Sequence, residues 1–156
     1  MDSTCGGTVP RSGNTTRIRA PKGLGPVFQA LEVSLADAFG RVAKRRFYTA
    51  LLAEYLQDPP ARYWHHGNSS DVIFVEIDRV VANEIRENAD VPLACFGFNA
   101  IDSFISDPLI RDAVYVRLRR SLKSSDTDVG VFIETHFRSH EIPLKGRPRS
   151  ARLEQD

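Results

Sequence analysis

The chain contains only two cysteines and no apolar run long enough to cross a membrane. Cys5 lies in a polar segment and Cys95 in an apolar one, so we expect a reducing compartment and no structural disulfide. A membrane span needs roughly 18–20 consecutive apolar residues, and the first residues lack an apolar secretory segment. These absences predict a cytoplasmic or virion-internal protein that is not secreted and has no membrane partner.

Signatures of several enzyme classes are absent as well. The sequence has no Gly-rich phosphate loop after a predicted strand, no nucleophile elbow and no metalloprotease helix motif. Nucleophilic catalysis by Cys95 would need a base beside the thiol, and the local sequence marks none. We therefore expect a protein without catalytic activity and without a cofactor.

Both ends of the chain are basic, and the N-terminal one is rich in glycine, serine, threonine and proline. The segment 1–24 carries Arg11, Arg17, Arg19 and Lys22 against a single acidic residue. The segment 138–156 contains a second group of basic residues between 145 and 152. Such compositions predict disordered basic tails, which leaves 25–137 as one globular domain.

Charge is distributed in blocks along the chain, although the net charge is only +1. Residues 1–50 hold eight basic and three acidic side chains, whereas residues 51–112 hold four basic and eleven acidic ones. Residues 113–125 hold four basic side chains and no acidic one. Blocks of opposite sign on one small body favour association with an anionic partner or with a second copy of the chain.

Periodic apolar residues predict helices in the first half of the domain. Phe28, Leu31 and Leu35 recur at steps of three and four, and a second stripe runs from Phe47 to Tyr55. We expect two helices, or one kinked helix, that end before Asp58 because two prolines follow.

Three strands and two further helices complete the predicted α+β fold, in the order α-α-β-(α)-β-α-β. The predicted strands are Val72–Ile77, Val91–Phe98 and Val129–Ile133. Residues 79–88 are expected to form a short helix or to extend the preceding strand. An amphipathic helix over 108–123 begins with Asp107 as cap and Pro108 at its first position. We therefore expect a sheet of about three strands with helices packed on it.

Acidic and histidine residues suggest two kinds of metal chemistry. Glu76 and Asp78 end an apolar strand, where paired carboxylates can hold Mg²⁺ for phosphodiester hydrolysis. The run 75–79 resembles the acidic strand of restriction-endonuclease-like enzymes, although that family has a lysine where this chain has Asp78. His136 and His140 have a spacing that chelates metal on a helix, but a predicted strand would hold them apart.

Basic residues on helices and tails predict contacts with nucleic-acid phosphates. The cluster that begins at Lys44 is followed by two aromatic residues, and Tyr63 and Trp64 could stack an unpaired base or pack the loop 58–70 onto the body. The predicted phosphate contacts are Lys44, Arg45, Arg46, Arg117, Arg119, Arg120, Lys123, Arg147 and Arg149.

One resemblance strengthens the RNA interpretation. Arg41-Val42-Ala43, then residues 56–59, then Ile110-Arg111 leading into residues 117–120 resemble, in their order, ribosome-binding factor A. This resemblance implies a KH-like fold and a role in maturation of the small ribosomal subunit, although the family's long second strand is missing between 78 and 97.

The sequence supports three hypotheses of function. The first is a small non-enzymatic protein that binds nucleic acid, RNA rather than DNA. The second is a viral or phage accessory protein that acts in assembly, as a homodimer or within a larger complex. The third is a metal-dependent nuclease that uses Glu76 and Asp78.

Overall fold

The computed structural model describes residues 13–59, 63, 71–122 and 128–145. This part of the chain folds as two strands and six helices, and none of these helices is both long enough and apolar enough to span a bilayer. The elements are β1 (Gly13–Ala20), α1 (Gly25–Phe39), α2 (Ala43–Gln57), β2 (Asp71–Asp78), α3 (Arg79–Asn88), α4 (Leu93–Ser106), α5 (Pro108–Leu122) and α6 (Val129–Ser139).

The two strands form one antiparallel ribbon, although helices α1 and α2 separate them in the chain. Gly13 lies opposite Asp78 at one end, and Ala20 lies opposite Asp71 at the other. Side chains alternate between the two faces, and Ile18, Ile73 and the other buried ribbon residues point towards the helices. Strand β1 packs on α4 and β2 packs on α2, so the ribbon closes one side of a helical body.

An aromatic cluster joins four of the helices in the core. Phe28 of α1, Phe47 of α2, Phe104 of α4 and Phe137 of α6 are all fully buried. The Phe28 and Phe137 rings meet edge to face at 5.3 Å between centroids, and those of Phe47 and Phe104 do so at 5.6 Å. Helices that are distant in sequence therefore share one hydrophobic core.

The structure confirms several predicted elements. Helices α1 and α2 are separate and end before the predicted loop, and α3 covers the expected range. Strand β2 buries Ile73, Val75 and Ile77 as its alternation predicts. Helix α5 begins at Pro108, and the Asp107 carboxylate accepts a hydrogen bond of 2.9 Å from the Leu109 amide.

Two of the three predicted strands are wrong, and so are the three-stranded sheet and the predicted order. Residues 91–98 fall largely within α4, which starts directly after Pro92. Residues 129–133 begin α6, whose first turn is capped by the Asp128 carboxylate. That carboxylate accepts hydrogen bonds of 2.8 and 3.1 Å from the amides of Gly130 and Val131. Val131 is 64% exposed, so the alternation of valines does not mark a buried face.

Both predicted tails extend too far into the chain. Residues 13–20, placed in the N-terminal tail, form β1, and the Asp71 carboxylate holds the following turn by accepting bonds from the Gly23 and Gly25 amides at 3.0 and 2.8 Å. At the other end, residues 138 and 139 belong to α6, and the Lys145 amide donates to the Ile105 carbonyl at 2.8 Å. Residues 13–20 and 138–145 therefore contact the rest of the described chain.

Candidate nucleic-acid interface

An open cavity of about 720 Å³ lies between α2 and α5. Helix α2 contributes Arg46 and Glu54 to its wall, and the exposed stripe of α5 contributes most of the rest. That stripe includes Arg117, Arg120 and Ser121, which share one side of the helix because they lie three and four residues apart. We call the surface formed by Arg46, Glu54, Arg117, Arg120 and Ser121 the arginine groove.

Two side-chain contacts link the walls of the arginine groove. Arg46 Nη1 donates to Ser121 Oγ at 2.6 Å, and Arg117 Nε donates to Glu54 Oε2 at 2.7 Å. Because the earlier residue of α2 meets the later residue of α5, the two helices run antiparallel here. The N-terminal end of α2 and the C-terminal end of α5 therefore lie at the same end of the groove.

Positive charge is concentrated at that end. Glu54 neutralises Arg117 through an ion pair in which the carboxylate is mostly buried. Within the described ranges, neither Arg46 nor Arg120 forms an ion pair with a carboxylate. The Arg46 guanidinium donates to the Ser121 hydroxyl, which can both donate and accept hydrogen bonds, and Arg120 lines the same cavity.

The structure separates the other predicted phosphate contacts from the groove. Arg45 faces strand β2, where its Nε lies 3.6 Å from Asp78 Oδ1 and its Nη1 lies 4.0 Å from Glu76 Oε2. Arg119 Nε lies 3.5 Å from Asp128 Oδ2 at the start of α6. Lys44 lines a separate cavity of about 190 Å³ beside Tyr48 and two glutamates. Lys123, Arg147, Arg149 and Trp64 lie outside the described residues.

Sequence reasoning missed Glu54 and Ser121. Ser121 lies one helical turn after Arg117, so the four-residue spacing on α5 already indicates that they share a side. The contribution of Glu54 has no such signal, because it depends on how α2 packs against α5.

Glu76 and Asp78, the carboxylates of the nuclease hypothesis, both lie close to the Arg45 guanidinium. Arg45 contacts both Glu76 and Asp78, as given above, and its guanidinium occupies the place between them. In the part of the chain that the structure describes, no three histidine, cysteine or acidic side chains come together to hold a metal ion. No observation therefore favours the nuclease hypothesis over nucleic-acid binding.

The histidine pair lies on α6 and at its C-terminal end, not on a strand. The His136 and His140 rings are consequently close, with 4.5 Å between centroids. His136 Nε2 lies 3.0 Å from the Val27 carbonyl oxygen, so this nitrogen serves as a donor that ties α6 to α1. A role in packing accounts for His136.

Cys95 lies on α4 and not on a strand, and it is partly buried. Burial raises the pKa of the Cys95 thiol, although a hydrogen bond with Asn99 acts in the opposite direction. A raised pKa leaves less thiolate at neutral pH, and this is unfavourable for a nucleophile.

Comparison with known proteins found no matching family model, no matching curated protein and no matching solved structure. The resemblance to ribosome-binding factor A thus receives no support from these comparisons.

Proposed function

We propose that this protein binds nucleic acid, RNA rather than DNA, and that the arginine groove holds the phosphate backbone. One observation carries the proposal: Arg46, far from Arg117 and Arg120 in sequence, meets them across a single open groove. Clustering of cations on one surface is the property that polyanion binding requires.

The chemistry of the groove suits phosphate. A guanidinium group presents several N–H donors in one plane and can bind two phosphate oxygens at once. Arg46 and Arg120 keep this capacity because no described carboxylate forms an ion pair with them. Two acidic residues, Glu54 and Asp112, also line the cavity, and Glu54 is paired with Arg117. The Ser121 hydroxyl adds a neutral donor beside them.

The shape of the site favours a single strand over a duplex. Proteins that read the major groove of DNA insert a protruding helix into it. Here the cations line a concave surface between two helices, which can follow one strand of backbone. This shape supports RNA as the partner, because sequence-specific RNA recognition mostly targets single-stranded regions.

Charge reversal at the unpaired end of the groove tests the proposal. The groove variant is Arg46→Glu/Arg120→Glu, and the control is Arg86→Glu/Arg138→Glu, which alters net charge equally through exposed arginines of α3 and α6. Binding of a labelled oligouridylate of about twelve nucleotides is followed by fluorescence anisotropy.

We expect the groove variant to bind on the order of tenfold more weakly at low salt. Its plot of log affinity against log salt, measured between about 50 and 200 mM, should become shallower by about 1.4, since each lost single-strand phosphate contact accounts for about 0.7. Equal losses in the two variants, or no loss in the groove variant, would refute the groove as the site. Sedimentation in the same buffers with and without RNA tests the assembly hypothesis, which predicts a dimer that forms without nucleic acid.

A further inference from the structure

The outer side of the β1–β2 ribbon carries an exposed aromatic ring between cations. Strand alternation turns Thr15, Arg17 and Arg19 of β1 outwards, together with Val72, Phe74 and Glu76 of β2. In the register of the ribbon, Arg17 lies directly opposite Phe74. We call this set the outer ribbon face.

Packing does not account for Phe74. Phe74 is 64% exposed. Ile73, the preceding residue, is fully buried, and Glu76, two residues further along, is partly buried. Among the described residues, Phe74 forms no ring contact with another aromatic side chain. A large apolar ring left in water at the centre of a strand has a free face available to a flat partner.

Cations lie on the β1 side of Phe74, whereas Glu32, Lys44 and Glu76 share with Phe74 the small cavity of about 190 Å³. Arg17 is exposed and lies directly across from the ring, and Arg19 lies one diagonal step away. No carboxylate of the described ranges forms an ion pair with either arginine. Glu76, two residues after Phe74, and Asp78 at the end of β2 lie 4.0 and 3.6 Å from the Arg45 guanidinium, which offsets part of their charge.

We propose that the outer ribbon face binds an unpaired nucleobase of single-stranded RNA, stacked on Phe74, while Arg17 and Arg19 contact the adjoining phosphates. This proposal rests on the proposed function and adds a second contact surface to it. An aromatic ring on a cationic surface accepts any base, because every base has a π face, whereas the bases of a duplex are already stacked within it. The ribbon therefore gives selectivity for unpaired strands, and the arginine groove gives affinity for phosphate.

Three probes separate the two surfaces: a single-stranded oligouridylate, an RNA duplex of the same length, and heparin, a polyanion without bases. The variant Phe74→Leu keeps an apolar side chain but removes the aromatic ring, and Phe74→Tyr retains the ring. Val80→Ala serves as a control for the loss of exposed apolar surface, since Val80 is 71% exposed on α3.

Stacking of one base contributes about 1–3 kcal/mol, equivalent to roughly 5- to 150-fold in affinity. We expect Phe74→Leu to weaken binding of the single strand by on the order of fivefold or more, and to leave binding of heparin and duplex unchanged. Phe74→Tyr should bind like the wild type, as should Val80→Ala.

Each possible result has a distinct meaning. If Phe74→Leu binds the single strand as well as the wild type does, stacking on the ribbon is refuted and the arginine groove is unaffected. If the variant loses all three probes equally, Phe74 has a structural role and the stacking proposal fails. If the wild type binds neither the single strand nor heparin, the arginine groove fails as a polyanion site, and the ribbon proposal fails with it.

Discussion

Replacing Gly97 with alanine tests whether β1 belongs to the folded body. Gly97 lies on α4 where that helix crosses β1, and a Cβ atom added there would lie 2.5 Å from Ile18 Cβ and 2.6 Å from Ile18 Cγ2. Ile18 is completely buried. Favourable carbon contacts lie at about 3.5–4.0 Å, so α4 and β1 must separate to accept the added methyl group.

Helix propensity and core packing act in opposite directions on the stability of Gly97→Ala. Alanine is more favourable than glycine within a helix by about 0.8–1.0 kcal/mol. Overfilling a packed core costs about 1–3 kcal/mol. The nearest atom is the Cβ of Ile18, which cannot rotate away, so we place the overpacking near its upper limit. The free energy of unfolding of Gly97→Ala should fall by about 2 kcal/mol.

Substitutions of Ile18 locate the clash. Ile18→Ala removes Cγ1, Cγ2 and Cδ1, whereas Ile18→Val removes only Cδ1, which lies 3.3 Å from the added atom. Both variants keep the Ile18 Cβ position at 2.5 Å, so only the contact with Cγ2 at 2.6 Å distinguishes them. In a double-mutant cycle, Gly97→Ala should therefore be less harmful in the Ile18→Ala background by about 0.5–1 kcal/mol, near the lower limit for residues in contact, because the Cβ contact remains. In the Ile18→Val background it should be about as harmful as in the wild type.

Urea unfolding followed by circular dichroism gives the required free energies. If Gly97→Ala were as stable as the wild type or more stable, helix propensity alone would operate at this position. The contact between α4 and β1 would then be absent, and residues 13–20 would return to the tail in which the sequence placed them.

Two smaller predictions concern single side chains. Burial raises the pKa of Glu32 above 4.5, although the hydrogen bond from Tyr48 opposes this. The folded state then holds the proton more tightly than the unfolded state, so stability falls as pH rises from 4.5 through the folded-state pKa. In Glu32→Gln, the free energy of unfolding measured by urea denaturation at a series of pH values should no longer fall in this way. If the fall were the same in the variant and the wild type, Glu32 would not be its source. Asp128→Ala should lower the free energy of unfolding by about 0.5–2 kcal/mol through loss of the α6 cap, whereas Asp128→Asn should keep most of it. If Asp128→Ala and Asp128→Asn lost the same stability in thermal unfolding, the negative charge of Asp128 and not its hydrogen bonds to the α6 amides would be the stabilising feature.

Local pattern predicted the elements whose signals are complete within a short window. The helical stripe of α1, the capped proline at the start of α5 and the alternation of β2 each depend on residues within a few turns of one another. The structure contains all three. Such signals are independent of how the elements later pack.

Residues 91–98 and 129–133 were wrongly predicted as strands because too few neighbouring residues were considered together. Over residues 91–98, β-branched and aromatic side chains resemble a strand, but continuing to 106 adds Ala100, Ile101 and Phe104 at helical spacing from Phe96. In α6, the buried positions Val129, Ile133 and Phe137 recur every four residues. The four-residue repeat and the Asp128 cap together outweigh an alternation of three residues.

Strand β1 could not be predicted in the same way. Its residues are short, polar or basic, and its hydrogen-bonding partner lies beyond two intervening helices. Ile18 is its main buried anchor, so the hydrophobic signal is weak. A strand of this kind becomes apparent only when the pairing with β2 is known.

The number of basic residues in the sequence does not show which arginines are available to a partner, and Arg111 is an example. Arg111, counted among the basic residues, is 2% exposed, donates to the carbonyls of Phe104, Ile105 and Lys145, and pairs with Glu134 at 3.2 Å. Such a cation stabilises the packing of the helices and the C-terminal segment, and it contributes little to the external field.

The remaining arginines differ in how far neighbouring carboxylates compensate them. Arg117 and Arg119 come from the most basic block of the sequence, yet each has an acidic neighbour, Glu54 and Asp128 respectively. Arg46 and Arg120 have no such partner in the described ranges and lie at one end of one groove. A polyanion responds to the charge that remains after internal pairing and not to the number of basic residues. Specific binding at α2 and α5 should therefore depend on two guanidinium groups, although the sequence offers nine candidates.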